Sequence, residues 1–251
     1  MALLLTLCLV ILGTSFLSGI FGMAGGLILV GVLLVLMPLP DAMALHAVTQ
    51  ISSNGWRCAL WIRHVHWRTV GFYTAGGMIA VAAWSLVQFV PDKPWALLGL
   101  GASPFLVRLL PNSLRPDAES APQAMLYGGG CMMLMLLTGV SGPLADSFFL
   151  GGRLEKRAII ATKSMCQTLG HSLKLIYFSG LIDNAGILDP LLGTAAVLAA
   201  ALGTMLARRV VEAMSDATFR RWGGRIITAI GILYLAQGSL LLSLSLLRTE
   251  R

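Results

Sequence analysis

Charge is what this sequence has least of. Asp, Glu, Lys and Arg make up 12% of its 251 residues, and hydrophobic types make up 57%. Soluble domains carry roughly 25% charged residues. With a mean hydropathy of +0.82, the chain lacks the polar surface to cover a globule in water, which excludes a soluble fold. Paired cysteines are also missing. Cys8, Cys58, Cys131 and Cys166 stand apart in apolar segments with no C-x-x-C spacing, so they read as small core residues rather than a redox centre. The N-terminus, Met1 to Phe16, has neither a basic n-region nor an A-x-A site, and reads as a retained membrane segment. There is no G-x-S-x-G, no H-E-x-x-H and no P-loop. The expectation is therefore no enzyme, no metal and no cofactor, and ATP-driven work would need a partner subunit. The net charge of +7 does not indicate nucleic acid. Its bases fall in short clusters between apolar segments (63–68, 153–157 and 208–225), as in the cytoplasmic loops of membrane proteins.

What is there is apolar length. Crossing the hydrocarbon core takes about 20 helical residues. Segments at 42–63, 69–90, 94–110, 156–180, 186–209 and 223–247 approach or reach that length. Two other regions are interrupted. Residues 2–37 hold a long segment, the run Gly19-Ile20-Phe21-Gly22-Met23-Ala24-Gly25-Gly26, and a short apolar stretch ending at Pro38. Residues 122–152 repeat the plan around Gly139-Val140-Ser141-Gly142-Pro143-Leu144-Ala145-Asp146. Each reads as a broken-helix hairpin, whose free backbone groups must face protein or water, never lipid.

The two regions head an internal repeat. G-I-F-G at 19–22 matches G-V-S-G at 139–142, Ala47-Val48-Thr49-Gln50 is echoed by Ile160-Ala161-Thr162-Lys163, and Asn54 corresponds to Gln167. The expected fold is an all-α polytopic membrane protein with two repeats, each a broken hairpin plus three transmembrane helices. The first repeat is 1–110, a cytoplasmic linker 111–121, and the second repeat 122–251. The basic loops at 63–68, 153–157 and 208–225 should be cytoplasmic, and the acidic loop at 180–190 external. Tracing the chain from these anchors puts both termini outside and runs equivalent helices in opposite directions, an inverted-topology repeat. That architecture belongs to transporters, with the substrate site near the midplane where the breaks meet. Helix N-termini at a break favour an anion, and glycines admit it to the backbone.

Polar residues inside the spans are the site candidates. Lys163 reads either as a charge complementary to an anion, as a lysine whose protonation is coupled to transport, or as the partner of Asp146. Asp146 reads as a cap of the short helix, a pair with Lys163, or a proton carrier. Thr49 and Thr162 offer hydroxyls to a ligand or to a neighbouring helix. Gln50, Asn54 and Gln167 carry amide donors suited to an oxyanion. His46 and His171 are candidate proton shuttles or hydrogen-bonded interior histidines. Arg57 and Lys174 each lie about six residues from a helix end, and are expected to snorkel to the interface.

The ordered set of G-I-F-G-M-A-G-G at 19–26, A-V-T-Q at 47–50, the arginine-flanked H-V-H-W at 64–67, and the weaker second copy resembles the sulfite exporter TauE/SafE family over about 10–245. The resemblance implies a permease that exports sulfite, sulfonates or related small organosulfur anions across the bacterial cytoplasmic membrane. It implies a site at Gly22, Gly25, Gly26, Thr49 and Gln50 in the first half, and Ser141, Gly142, Thr162, Lys163 and Gln167 in the second. The second copy departs from the family pattern, reading G-P-L-A-D at 142–146 where glycines are common. The implied partners are a small anion and the bilayer, and a homodimer is compatible with the sequence. The competing class is a membrane-embedded scaffold with no transported substrate.

Overall fold

The computed structural model describes residues 2–21, 24–87, 92–109, 117–151, 154–180 and 189–249. Among them the chain is helical, with no strand. In order, the helices are α1 (Ala2–Phe21), α2 (Ala24–Leu36), α3 (Leu39–Leu60), α4 (Trp67–Val87), α5 (Lys93–Arg108), α6 (Ala121–Thr138), α7 (Gly142–Gly151), α8 (Lys156–Gly180), α9 (Pro190–Ala213) and α10 (Asp216–Thr249). A single 3-10 turn at Ile62–His64 joins α3 to the extended residues before α4.

Four helices contain a stretch long and apolar enough to cross a bilayer: Leu4–Phe21, Trp67–Val87, Pro190–Val210 and Thr228–Ser245. Three of the uninterrupted segments read from the sequence are among them; the fourth stretch is α1. Helices α3 and α8 have the length, at 22 and 25 residues, but carry too many polar side chains to stand in lipid. Packing resolves this. Helices α3 and α8 lie against each other, with α4 and α9 packed on them. The large exposed apolar side chains, such as Ile79, Leu198, Leu202, Ile232 and Leu240, fall on α4, α9 and α10. The most polar helices are thus shielded by the most apolar ones, as a low-dielectric solvent requires.

Helices α2 and α7, at 13 and 10 residues, are too short to span the core. Both are held inside protein. Leu27, Leu29, Val30, Leu33 and Leu34 of α2 are buried in one core cluster with residues of α1, α3 and α9. Phe148 and Phe149 of α7 are completely buried in a second cluster; the Phe148 ring stacks on Tyr127 with centroids 4.7 Å apart, and Phe149 lies 6.0 Å from Tyr73.

Several boundaries differ from the sequence reading. In the first Gly-rich run α1 continues to Phe21 and α2 begins at Ala24, so Gly25 and Gly26 belong to the first turn of α2; residues 22–23 lie outside the described residues. The second break is only Gly139-Val140-Ser141, so Asp146 sits inside α7 and does not cap it. The stretch 208–225 is not a loop. Arg208 and Arg209 extend α9, and the chain turns at 214–215 before Arg220, Arg221 and Arg225 in the first turns of α10. Of the expected linker 111–121, residues 117–120 are not helical and Ala121 begins α6, while 110–116 lie outside the described residues.

The pairing of helices has one regularity. Helix α1 packs on α9 and α4 on α6, while α3 packs on α8 and α5 on α10. Exchanging α1–α5 for α6–α10 in order returns the same four pairs. Across α3 and α8, His46 meets Lys174 and Gly55 meets Thr168, so numbers fall in one helix as they rise in the other. Across α5 and α10, Gly101 meets Leu235 and Gly238 meets Leu98, again antiparallel.

Candidate functional site

Helix periodicity sets the site. On α3, His46, Gln50, Asn54 and Arg57 are spaced 4, 4 and 3 residues apart; on α8, Lys163, Gln167, His171 and Lys174 have the same spacing. Residues three and four apart share a helix face, so each helix carries one polar stripe. All eight residues are less than a tenth exposed. Because α3 and α8 cross antiparallel, His46 comes beside the Lys174 end, leaving Arg57 toward the Lys163 end.

At the Lys174 end, the ammonium donates to His46 Nδ1 at 2.8 Å and to the Gly139 carbonyl at 3.1 Å. With Nδ1 accepting, the other ring nitrogen of His46 carries the hydrogen and Nε2–H donates to the Gly26 carbonyl at 3.0 Å. A lysine on α8 and a histidine on α3 therefore bind the backbone of both hairpins, one beside each break. His171 lies 5.4 Å from His46 in an edge-to-face arrangement, and its Nδ1 is buried without a partner. Gly139 must be glycine here. Its φ is 87°, and a Cβ would stand 2.8 Å from Met43 Sδ and 2.9 Å from Val30 Cγ2. Its N–H closes the end of α6 on the Met135 carbonyl at 2.8 Å.

At the other end, Arg57 donates through Nη2 to the Ser18 carbonyl at 2.7 Å and lies 3.5 Å through Nη1 from Asn54 Oδ1, while its Nε has no partner. Ser18 is near the C-terminus of α1, where free carbonyls and the helix dipole attract a cation. Asn54 donates to the Gln50 carbonyl at 3.0 Å, and the Gln50 amide lies along α2 at Gly26. Lys163 is ion-paired with Asp146 of α7. Asp146 is also near enough to act on the charge of Arg57.

The residues expected to form the site divide accordingly. Gly26, Gln50, Asn54, Lys163, Asp146, His46 and His171 come together along α3 and α8. Gln167 is buried in the same α8 stripe. Thr49 is fully buried and donates to the carbonyl of Leu45 in its own helix at 2.9 Å. Thr162 accepts the backbone N–H of His66 at 3.0 Å and so fastens the H-V-H-W turn to α8. Gly25 is pressed against the Thr14 carbonyl, and its missing Cβ lets α2 pack on α1. Ser141 and Gly142 are buried at the second break. Gly22 lies outside the described residues.

Arg57 and Lys174 are corrections. Neither snorkels: Arg57 is 7% exposed, Lys174 is 0% exposed, and both reach inward to backbone carbonyls. Distance from the helix end misled, because the faces of α3 and α8 that carry Arg57 and Lys174 are covered by protein. The matched 4-4-3 spacing is the sequence signal that finds both residues. Of Lys163's readings, the pair with Asp146 is the one present.

Counted at their ordinary ionisation, Arg57, Lys163 and Lys174 set against Asp146 give the column a formal charge of +2. Among the described residues no other carboxylate bonds into it. The sequence matches the sulfite exporter TauE/SafE family over residues 7–234. The chain belongs to that family. No curated protein and no solved structure matches it. Membership agrees with the apolar helices, and it identifies a membrane protein of a transporter family.

Proposed function

We propose that the protein is a secondary exporter of sulfite, a sulfonate or a related small organosulfur anion, and that the α3–α8 column carries the anion. The observation behind this reading is the column's uncompensated charge. An ion buried in a low-dielectric interior costs several kcal/mol unless paired, and intramembrane cations mark ion pathways. Lys174 and Arg57 bond only neutral acceptors. A passing anion supplies the missing counter-charge.

The halves 1–110 and 122–251 are read as inverted repeats. The exchange of helix pairs and the antiparallel crossings of α3 with α8 and α5 with α10 support this. The site then lies between two short re-entrant helices, α2 and α7. Rocking of one half on the other would open the column alternately to the two sides. The orientation with both termini outside rests on the basic clusters, and places the Lys163 end of the column toward the cytoplasm and the Lys174 end outside. The membrane would be the bacterial inner membrane.

Reconstituted protein in liposomes loaded with radiolabelled sulfite should release it at a rate above protein-free liposomes, with saturation by sulfite and competition by sulfonates. Flux indistinguishable from empty liposomes for sulfite, thiosulfate, sulfate, sulfoacetate and taurine would refute the reading.

A further inference from the structure

The column holds a cation that pairing does not explain. Lys163 has Asp146, but Lys174, the most deeply buried cation, faces His46 Nδ1, the Gly139 carbonyl and no carboxylate among the described residues. An ammonium has three donor hydrogens, and two are used. One α8 turn away on the same stripe, His171 Nδ1 is buried and unpartnered. A buried donor, Lys174, and a buried ring nitrogen without a partner, His171 Nδ1, therefore lie one turn apart on one stripe with unused capacity, where an unsatisfied polar group is costly.

We propose that Lys174 and His171 form an anion-binding station beside the second break, taking one small oxyanion such as sulfite or the sulfonate head of a larger molecule. The third Lys174 hydrogen and the free His171 nitrogen, as N–H, bind two of its oxygens. His46 is a positioning residue. Its bonds to Lys174 and the Gly26 carbonyl aim the ammonium and tie the first hairpin to the filled station. The titratable groups facing Lys174 are His46 from α3 and His171 from its own helix; among the described residues α2 presents none and the α7 carboxylate, Asp146, bonds Lys163. The Lys163 end differs in kind, because Asp146 already occupies it as a tethered anion.

This station rests on the transport reading, and one experiment separates the two. Sulfite binding to the purified full-length protein in detergent is measured by calorimetry, and the thermal midpoint is followed with and without sulfite. Lys174→Met should weaken sulfite binding about 10- to 100-fold, the loss of a charged hydrogen bond. Lys174→Arg should retain binding within a few-fold, and His171→Phe should weaken it less than Lys174→Met. Removing an unpaired buried charge should leave the unliganded midpoint equal or higher, so a folded but non-binding variant is expected. Unchanged sulfite affinity in Lys174→Met, with sulfite transport intact in the wild type, would overturn the station and leave the transport reading standing. A wild type that neither binds nor moves any of the anions would overturn both. If Lys174→Met does not fold, loss of sulfite affinity in His171→Phe supports the station and retained affinity overturns it.

Discussion

The two ends of the α3–α8 column differ in how they treat a buried cation. At one end Lys163 is paired with an acid, Asp146, carried in on the short helix α7, and Arg57 lies within the reach of that charge while bonding the Ser18 carbonyl. At the other, Lys174 has only the His46 ring and a backbone carbonyl. The paired end is also slightly open, with the side chains of Lys163 and Asp146 10% and 18% exposed, whereas Lys174 is wholly enclosed. The more open end carries its own counter-ion, and the enclosed end does not. On the proposed transport reading, an anion competes with Asp146 at the first and is needed at the second.

That difference can be broken most forcefully at Lys174. Lys174→Met should reduce sulfite flux in proteoliposomes at least tenfold, because no other group at that end carries a charge. Next in size is Gly139→Ala. The substitution forces a side chain into positive φ and against Met43 and Val30, and should cost about 1–3 kcal/mol. A fall in thermal midpoint and in the yield of monodisperse protein would record it. Asp146→Asn should then sharpen the comparison, since it makes the paired end resemble the unpaired one. Sulfite should bind several-fold more tightly there, and its release, read as the maximal efflux rate, should slow. Unchanged affinity in Asp146→Asn would mean that the carboxylate does not compete with the substrate. The smallest effect is expected for Arg208→Ala. It removes an i,i+4 pair with Glu212 in which both partners are about half exposed, and such pairs contribute at most about 0.5 kcal/mol.

Much of the fold was legible in the sequence. Apolar length located the helices to within a few residues, except that α10 begins at Asp216, seven residues before the segment read as 223–247. The two Gly-rich runs located the hairpins, since glycine tolerates the close packing and left-handed turn they need. Charge bias and the G-I-F-G/G-V-S-G match carried the idea of two halves. The errors have two origins. Drawing the second break as far as residue 146 made Asp146 look like a cap, and reading each helix as though lipid surrounded it made Arg57 and Lys174 look able to reach an interface. Burial by neighbouring helices is a tertiary property, and no single segment records it. For the same reason Thr49 and Thr162, matched in the repeat, look equivalent in sequence but do different jobs. One bonds within its helix, and the other anchors the turn before α4. The equal 4-4-3 spacing on α3 and α8 was present throughout, but its meaning appears only when the two stripes face each other.

The central claim is that a buried positive column moves a small organosulfur anion, with its uncompensated charge at Lys174. Efflux of radiolabelled sulfite from liposomes holding wild-type, Lys174→Met and Lys174→Arg proteins of matched fold and amount tests it most directly. The account predicts saturable flux for the wild type, flux near the protein-free background for Lys174→Met, and substantial recovery in Lys174→Arg. Equal flux from wild-type and Lys174→Met proteins would contradict it.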